Sequence, residues 1–181
     1  MDVKIISSTY INKHQYFTAR KDAYQLASGK IVDPYFVVEL PENATAMAIT
    51  ADNQILLVKQ YRHPVQQYSI ELPGGFIDAN EVPEHAIKRE LLEETGYEFN
   101  EVFYLGTTAA NPGVLNNFTK LFLATGGKKV KAQELDDNEE IDIMLKPIDE
   151  VKQMLSNSEF IQSMHALCLF YGFEKLKSLG F

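Results

Sequence analysis

With 181 residues, 45% of them hydrophobic, and a single cysteine, the chain can bury a full core as one domain with a modest extension, and it cannot form an internal disulfide. A formal net charge of −8 excludes a broad nucleic-acid-binding surface, which needs Lys and Arg clustered against phosphate. The opening MDVKIISSTYINKH lacks a signal-peptide layout, and the apolar stretch Met164 to Phe173 is too short to span a bilayer and carries His165, so a soluble cytoplasmic protein without membrane or nucleic-acid partners is expected.

Val3 to Ile6, residues 15 to 27 and residues 31 to 40 read as strands, the last two joined by the turn Ser28-Gly29-Lys30. Tyr35, Phe36, Val37 and Val38 are too β-branched and aromatic to prefer a helix. A small antiparallel sheet is expected here, and Pro41-Glu42-Asn43 punctuates its end. The chain therefore divides into an N-terminal sheet, residues 1–41, and a main domain, residues 42–181.

From Ala44 the pattern is a hairpin: Ala44 to Thr50, a turn at Ala51-Asp52-Asn53, then Gln54 to Tyr61. Ile55, Leu56, Leu57 and Val58 form an unbroken apolar run, as in a strand buried on both faces. Arg62 and Glu71 flank the approach to Leu72-Pro73-Gly74-Gly75. Exposed Arg and Glu are ordinary surface residues, but a planar guanidinium fork also matches a phosphate. The glycine pair either makes a tight turn or lets the main chain approach a ligand closely.

A helix follows, starting near Pro83 and ending at Gly96, with proline in the first turn and glycine at the stop. At about 100° per residue, Glu90, Glu93 and Glu94 fall within roughly one 100° sector. Carboxylates on one face repel each other, and only Lys88 and Arg89 lie close in sequence. A divalent cation relieves that repulsion, and an all-oxygen site suits Mg²⁺ or Mn²⁺. The plainer alternative is a solvated acidic face. Against it, Ile87 and Leu91 form an apolar stripe beside the acidic sector, which sets those carboxylates at the edge of a core.

Glu98 to Ala109 reads as a strand leading into Ala110 to Asn117, where Asn111-Pro112-Gly113 forms a turn on its own chemistry. Phe118 to Ala124 is a strand, Gly126-Gly127 a turn and Lys128 to Gln133 another strand. The acidic run Leu135 to Glu140 precedes a strand from Ile141 to Leu145. Pro147 opens a short helix to about Ser156, and Glu159 to Leu179 makes a longer one in which Cys168 reads as a buried apolar residue.

The succession Gly75, five residues, Glu81, seven residues, Arg89-Glu90-Leu91, any residue, Glu93-Glu94, any residue, Gly96 resembles the Nudix box. Tyr97 stands where the family usually has a large aliphatic residue, a departure that bears on packing. The resemblance implies an α/β fold, an α/β/α sandwich on a mixed sheet, with the small N-terminal antiparallel sheet attached. It implies a metal shell of Glu90, Glu94, Glu93 and the Gly74 carbonyl, with Arg89 orienting the glutamates and Glu81 bracing the loop or binding metal through water. The segments around Arg62 and Glu71 are similar to those lining the substrate cleft of ADP-ribose pyrophosphatases. Asn111 and Pro112, the latter 16 residues beyond Gly96, resemble a feature of enzymes acting on ADP-ribose or other nucleoside diphosphate sugars. The acidic run resembles a segment that sends a mobile glutamate to the attacking water, which makes Glu139 or Glu140 the candidate base.

By the same resemblance the first 40 residues pack against a second subunit in a homodimer, and Tyr35 or Phe36 offers a ring to the nucleobase; a plain intrachain strand is the alternative. The implied reaction is metal-dependent hydrolysis of a nucleoside diphosphate sugar, of ADP-ribose or GDP-mannose type, to a nucleoside monophosphate and a sugar phosphate. Two alternatives stand beside it. One is a non-catalytic sensor of a nucleotide metabolite, although such proteins typically lose a box glutamate and none is lost here. The other is a hydrolase of dinucleotides, triphosphates or capped RNA.

Overall fold

A computed structural model describes residues 2–136 and 139–180. They form two compact units, one of residues 2–42 with 109–118, the other of residues 43–108 with 119–136 and 139–180.

The first unit is a three-stranded antiparallel sheet in the order β1 (Lys4–Asn12), β2 (Thr18–Gln25), β3 (Ile31–Glu39). β1 is longer than the Val3 to Ile6 segment expected, and β2 begins only at Thr18. The preceding residues turn back on themselves, with the Phe17 N–H donating to the His14 carbonyl at 3.0 Å. Arg20 ties the sheet together by pairing with Asp22 on its own strand and Glu39 on β3. Residues 109–118 belong to this unit because β3 acts as their template. The Val38 N–H donates to Val114 O at 2.8 Å, and the Asn116 N–H returns to Val38 O at 3.2 Å. Asn116 Oδ1 accepts from the Leu40 N–H at 3.2 Å, and Asn117 Nδ2 donates to Pro41 O at 3.0 Å. Strand alternation separates the two aromatic candidates: Tyr35 packs edge-on against Tyr24, whereas Phe36 points the other way and is exposed.

The second unit is an α/β/α sandwich. Its sheet runs β11 (Ile141–Pro147), β5 (Gln54–Arg62), β4 (Asn43–Thr50), β10 (Thr119–Lys129), β8 (Tyr97–Glu98). β6 (Gln67–Glu71) pairs with β5, β7 (Gly74–Phe76) with β4, and β9 (Glu101–Thr108) with β10. The β4–β10 pair is parallel and the remaining pairs are antiparallel, so the sheet is mixed. Side-chain alternation builds one core on each face. Met47, Ile49, Ile55, Leu57, Leu121 and Leu123 meet helices α2 (Ile148–Ser156) and α3 (Ser163–Leu179) through Val151, Met154, Cys168, Leu169 and Leu176. Ala46, Ala48, Leu56, Val58, Phe122 and Ala124 meet helix α1 (Pro83–Thr95) through Ile87 and Leu91. Ile55 to Val58 are all fully buried, as a strand covered on both sides must be.

Two expectations are corrected here. Where two strands around a turn were expected over residues 118–133, a single strand, β10 (Thr119–Lys129), runs through the glycine pair. The glycines at 126 and 127 produce a shift of register against β4 between Ala124 and Gly127, with Gly126 at φ 71°, and the chain continues in the same direction. The strand then stops at Lys129, where the amides of Val130 and Lys131 turn to the Gly96 carbonyl. The last helix starts at Ser163 and not at Glu159, because Gln162 is extended (φ −87°, ψ 115°) and Phe160 is buried in the core. Among the described residues no helix is long and apolar enough to cross a membrane.

Candidate active site

Helix α1 enters through Val82 in extended conformation with proline in its first turn, and it closes at Gly96, a left-handed cap whose N–H donates to Leu92 O at 2.9 Å. Ala86, Ile87 and Leu91 are buried against the alanine-lined face of the sheet, and small residues there let the helix approach closely. That packing carries Glu94, one turn beyond Glu90, down to 5% exposure. Glu94 Oε2 accepts the Gly74 N–H at 2.8 Å, so the contact between these two residues runs through the amide hydrogen. The glycine pair is required by this approach. A Cβ on Gly75 would sit 2.5 Å from the Glu90 carboxylate, and Gly74, at φ 148°, has no room beside the Ala44 carbonyl for a side chain.

Glu94 is pushed up to about 8, first by burial, with the charges of Glu90 and Glu139 adding to the effect and the Gly74 N–H opposing it. Glu90 is raised as well, again chiefly by burial, although Arg89 pulls it down. Arg89 is fully engaged: Nε and Nη2 grip Glu81 at 3.1 and 3.0 Å, Nη1 reaches Glu90 at 2.8 Å and Glu93 at 3.1 Å, and Nη2 also donates to Phe76 O at 3.1 Å. Its own pKa rises in consequence, the hydrogen bond to Glu81 being the largest cause. Glu81 also accepts the Asp78 N–H at 3.0 Å, which ties the loop before α1 to the guanidinium.

Among the described residues no three His, Cys, Asp or Glu side chains converge into a ready-made metal cluster. Glu93 turns outward to Arg89, leaving Glu90 and Glu94 as a pair of half-buried and buried carboxylates whose ionised forms are disfavoured. Two under-compensated carboxylates beside a main chain stripped of side chains form an oxygen donor set that fits a hard divalent cation.

Arg62 and Glu71 come together, though on different strands. Arg62 Nε meets Glu71 Oε1 at 2.8 Å and Nη2 meets Oε2 at 2.5 Å, a two-point pairing. Glu71 is fully buried behind the guanidinium. Its pKa is lowered: burial, the largest influence, raises it, but the hydrogen bond and charge of Arg62 outweigh that. Arg62 keeps part of its side chain exposed and feels the charges of Glu94 and Glu139 as well as that of Glu71. The guanidinium thus lies in the field of the acidic pair.

Glu139 and Glu140 are both exposed, and Glu139 Oε2 accepts the Asp136 N–H at 3.1 Å. Glu139 is among the main charges acting on Glu90, Glu94 and Arg62, and Glu140 is not. Asp137 and Asn138, from the same acidic run, lie outside the described residues. In the other unit, Asn111 and Pro112 are exposed, and the Asn111 carbonyl accepts the Val114 and Leu115 amides at 3.1 and 2.8 Å. The Tyr35 hydroxyl donates to Gly113 O at 2.6 Å, so this ring anchors the Asn-Pro-Gly turn, while Phe36 is left exposed.

In the sequence His165 is only a polar break in an apolar helix; in the fold its Nδ1 accepts the Leu72 N–H at 3.2 Å and its protonation is coupled to Glu71. Burial pushes it down to about 4, which leaves the imidazole neutral.

The NUDIX domain family matches residues 40–165. The chain is 30% identical to a methanol dehydrogenase activator of Bacillus methanolicus over 93% of this chain and 94% of that protein. It is 26% identical to an ADP-ribose pyrophosphatase of Bacillus subtilis (strain 168) over 81% of this chain and 88% of the relative. A solved structure described as an ADP compounds hydrolase superposes with a TM-score of 0.87 at 21% identity, covering 99% of this chain and 97% of its own, a likeness of fold.

Proposed function

The chain belongs to the Nudix family, and on that premise we propose that it hydrolyses the diphosphate bond of a nucleoside diphosphate sugar of the ADP-ribose type, using a divalent cation. The observation that carries this reading is the pair of buried Glu94 and half-buried Glu90 against Gly74-Gly75 with Arg62 in its electrostatic field. Similarity to the pyrophosphatase relative supports the choice of substrate class.

Glu90 and Glu94, with Glu93 from the exposed side and the main chain at Gly74, would hold Mg²⁺ or Mn²⁺. When bound, that ion supplies positive charge against the diphosphate. Arg89 keeps Glu90 and Glu93 aimed, and Glu81 holds Arg89 in turn. Arg62, pre-oriented by Glu71, grips a phosphate oxygen with the part of its fork left exposed. Glu139 takes the proton of the attacking water, its coupling to the acidic pair favouring it over Glu140. Water oxygen joins one phosphorus, the P–O bond to the bridging oxygen breaks, and the second phosphate leaves on the sugar or the nucleoside. The products are a nucleoside monophosphate and a sugar phosphate.

Phe36 is assigned to the nucleobase, and Asn111 and Pro112 to substrate selection, in a homodimer. The dimer is supported by β1, on which every residue is exposed in the single chain, Ile5, Ile6, Tyr10 and Ile11 included. A second reading, action as an activator of a dehydrogenase, is favoured by full-length similarity to the methanol dehydrogenase activator. The test is a panel of nucleoside diphosphate sugars, dinucleotides and triphosphates assayed with Mg²⁺. Preferential turnover of ADP-ribose or a related sugar nucleotide supports hydrolysis of that class, and failure on the entire panel favours the second reading.

A further inference from the structure

We propose that His165 is a positioning residue for the diphosphate site: from the first turn of α3 it pins the Glu71-Leu72 segment, and through Glu71 it fixes the guanidinium of Arg62. The inference rests on the assignment of Arg62 to a substrate phosphate.

Three observations meet at this point. β6 ends at Glu71 and β7 begins at Gly74, so Leu72 lies in the gap between two ladders, and it is buried. A buried amide with no strand partner is costly, and His165 Nδ1, 3.2 Å away and 93 residues on in sequence, accepts its hydrogen. Secondly, Glu71 is a fully buried carboxylate held by the two-point pairing with Arg62, and Gln60 Nε2 donates to it at 3.4 Å. The start of α3 approaches it as well: Gln162, the residue before the helix, helps hold the pKa of Glu71 down. A helix N-terminus also favours a nearby negative charge. Thirdly, the chain from Glu71 to Gly74 is pinned at each step. Leu72 N–H goes to His165, Pro73 O accepts the Ala46 N–H and the Thr45 hydroxyl, both at 3.1 Å, and Gly74 N–H goes to Glu94. Displacing Leu72 therefore shifts the carboxylate that aims Arg62.

His165 is itself buried and holds the backbone beside Glu71, so its hydrogen bond acts on Arg62 by way of that carboxylate. Because Nδ1 accepts, the ring proton belongs on Nε2. Asparagine can place an acceptor near the position of Nδ1, and leucine cannot. The two substitutions separate a hydrogen-bond role from simple packing.

The experiment measures KM and kcat for ADP-ribose at saturating Mg²⁺ in wild type, His165→Leu, His165→Asn, Arg62→Ala and the double variant His165→Leu/Arg62→Ala. The ¹⁵N-edited Nε–H resonance of Arg62 is recorded alongside. Expected are a rise in KM of about tenfold in His165→Leu with kcat changed far less, substantial recovery in His165→Asn, and a double variant no worse than Arg62→Ala. The Arg62 Nε–H signal should broaden or shift in His165→Leu and return in His165→Asn. Gln162→Leu, which removes a polar side chain that favours the Glu71 carboxylate, gives a smaller change of the same sign and stands in if His165→Leu does not fold. An unchanged Arg62 signal in His165→Leu, equal losses in Leu and Asn, or effects that add in full to Arg62→Ala overturn the proposal. A perturbed Arg62 signal together with a wild-type KM in Arg62→Ala overturns instead the assignment of Arg62 to the diphosphate, and the functional part of this proposal with it.

Discussion

Replacing Glu94 with glutamine is predicted to make the metal-free protein more stable while disabling it. A glutamate that ordinarily titrates at 4.5 is held at about 8 here by burial. At about 1.36 kcal/mol per pKa unit, its ionised form is disfavoured by on the order of 5 kcal/mol. Because the folded value lies above the unfolded one, folding takes up a proton between pH 4.5 and 8, so without metal this group's contribution to stability is intact below 4.5 and is lost as pH rises towards 8. At pH 7 the penalty is roughly 3 kcal/mol. Glutamine keeps an acceptor for the Gly74 N–H and carries no charge, so it escapes that penalty. With roughly 2–4 °C per kcal/mol for a chain of this size, Glu94→Gln in EDTA at pH 7 should unfold several degrees above wild type, the difference closing near pH 4.5. Mg²⁺ should stabilise wild type and leave the variant nearly unchanged, and turnover of the variant should fall by about 10² or more. Thermal unfolding followed by circular dichroism from pH 4.5 to 8, with and without Mg²⁺, makes the comparison. A variant less stable than wild type in EDTA at pH 7, or a wild type whose stability does not fall with pH, refutes the reasoning.

Glu139→Gln should lower kcat with little effect on KM, as for an interaction made only in the transition state, and Glu140→Gln should stay near wild type; equal mild effects would return the base to the box helix. Gly75→Ala drives a methyl into the Glu90 carboxylate, so the Mg²⁺ concentration for half-maximal turnover should rise at least severalfold, and an unchanged metal titration speaks against that carboxylate as a ligand. Light scattering at micromolar protein should give a dimer for wild type and a monomer for Ile5→Lys/Ile11→Lys on β1, whereas a monomeric wild type removes the assembly.

Much of the second unit was legible because its signals are local. The run Ile55 to Val58 cannot be a half-exposed strand, and the stripe Ile87 and Leu91 beside Glu90 and Glu94 fixes which face of α1 turns inward. What escaped depends on distant pairings. The antiparallel register of β5 and β6 puts Arg62 and Glu71 on one face, four positions apart along the ladder, and the long guanidinium side chain spans that distance; a one-residue slip would turn one of them to the other face. His165 acquires its role from a strand gap 93 residues earlier, and Tyr35 from a loop 78 residues later. Gly126-Gly127 has the composition of a turn, yet pairing with β4 at Gly127 and with β8 at Lys128 carries β10 through a bulge. Glu139 and Glu140 are neighbours of one chemistry, and only the path of the loop separates them.

On the proposed function, this acidic pair serves metal-dependent cleavage between two phosphates. ³¹P NMR of ADP-ribose incubated with the protein in ¹⁸O-labelled water, with Mg²⁺, after EDTA and after metal is restored, tests it most directly. The account predicts AMP and ribose 5-phosphate in equal amounts, label in one of the two monoesters, no reaction in EDTA and recovery on adding metal. Turnover indifferent to EDTA, or loss of the substrate without cleavage of its diphosphate, would contradict it.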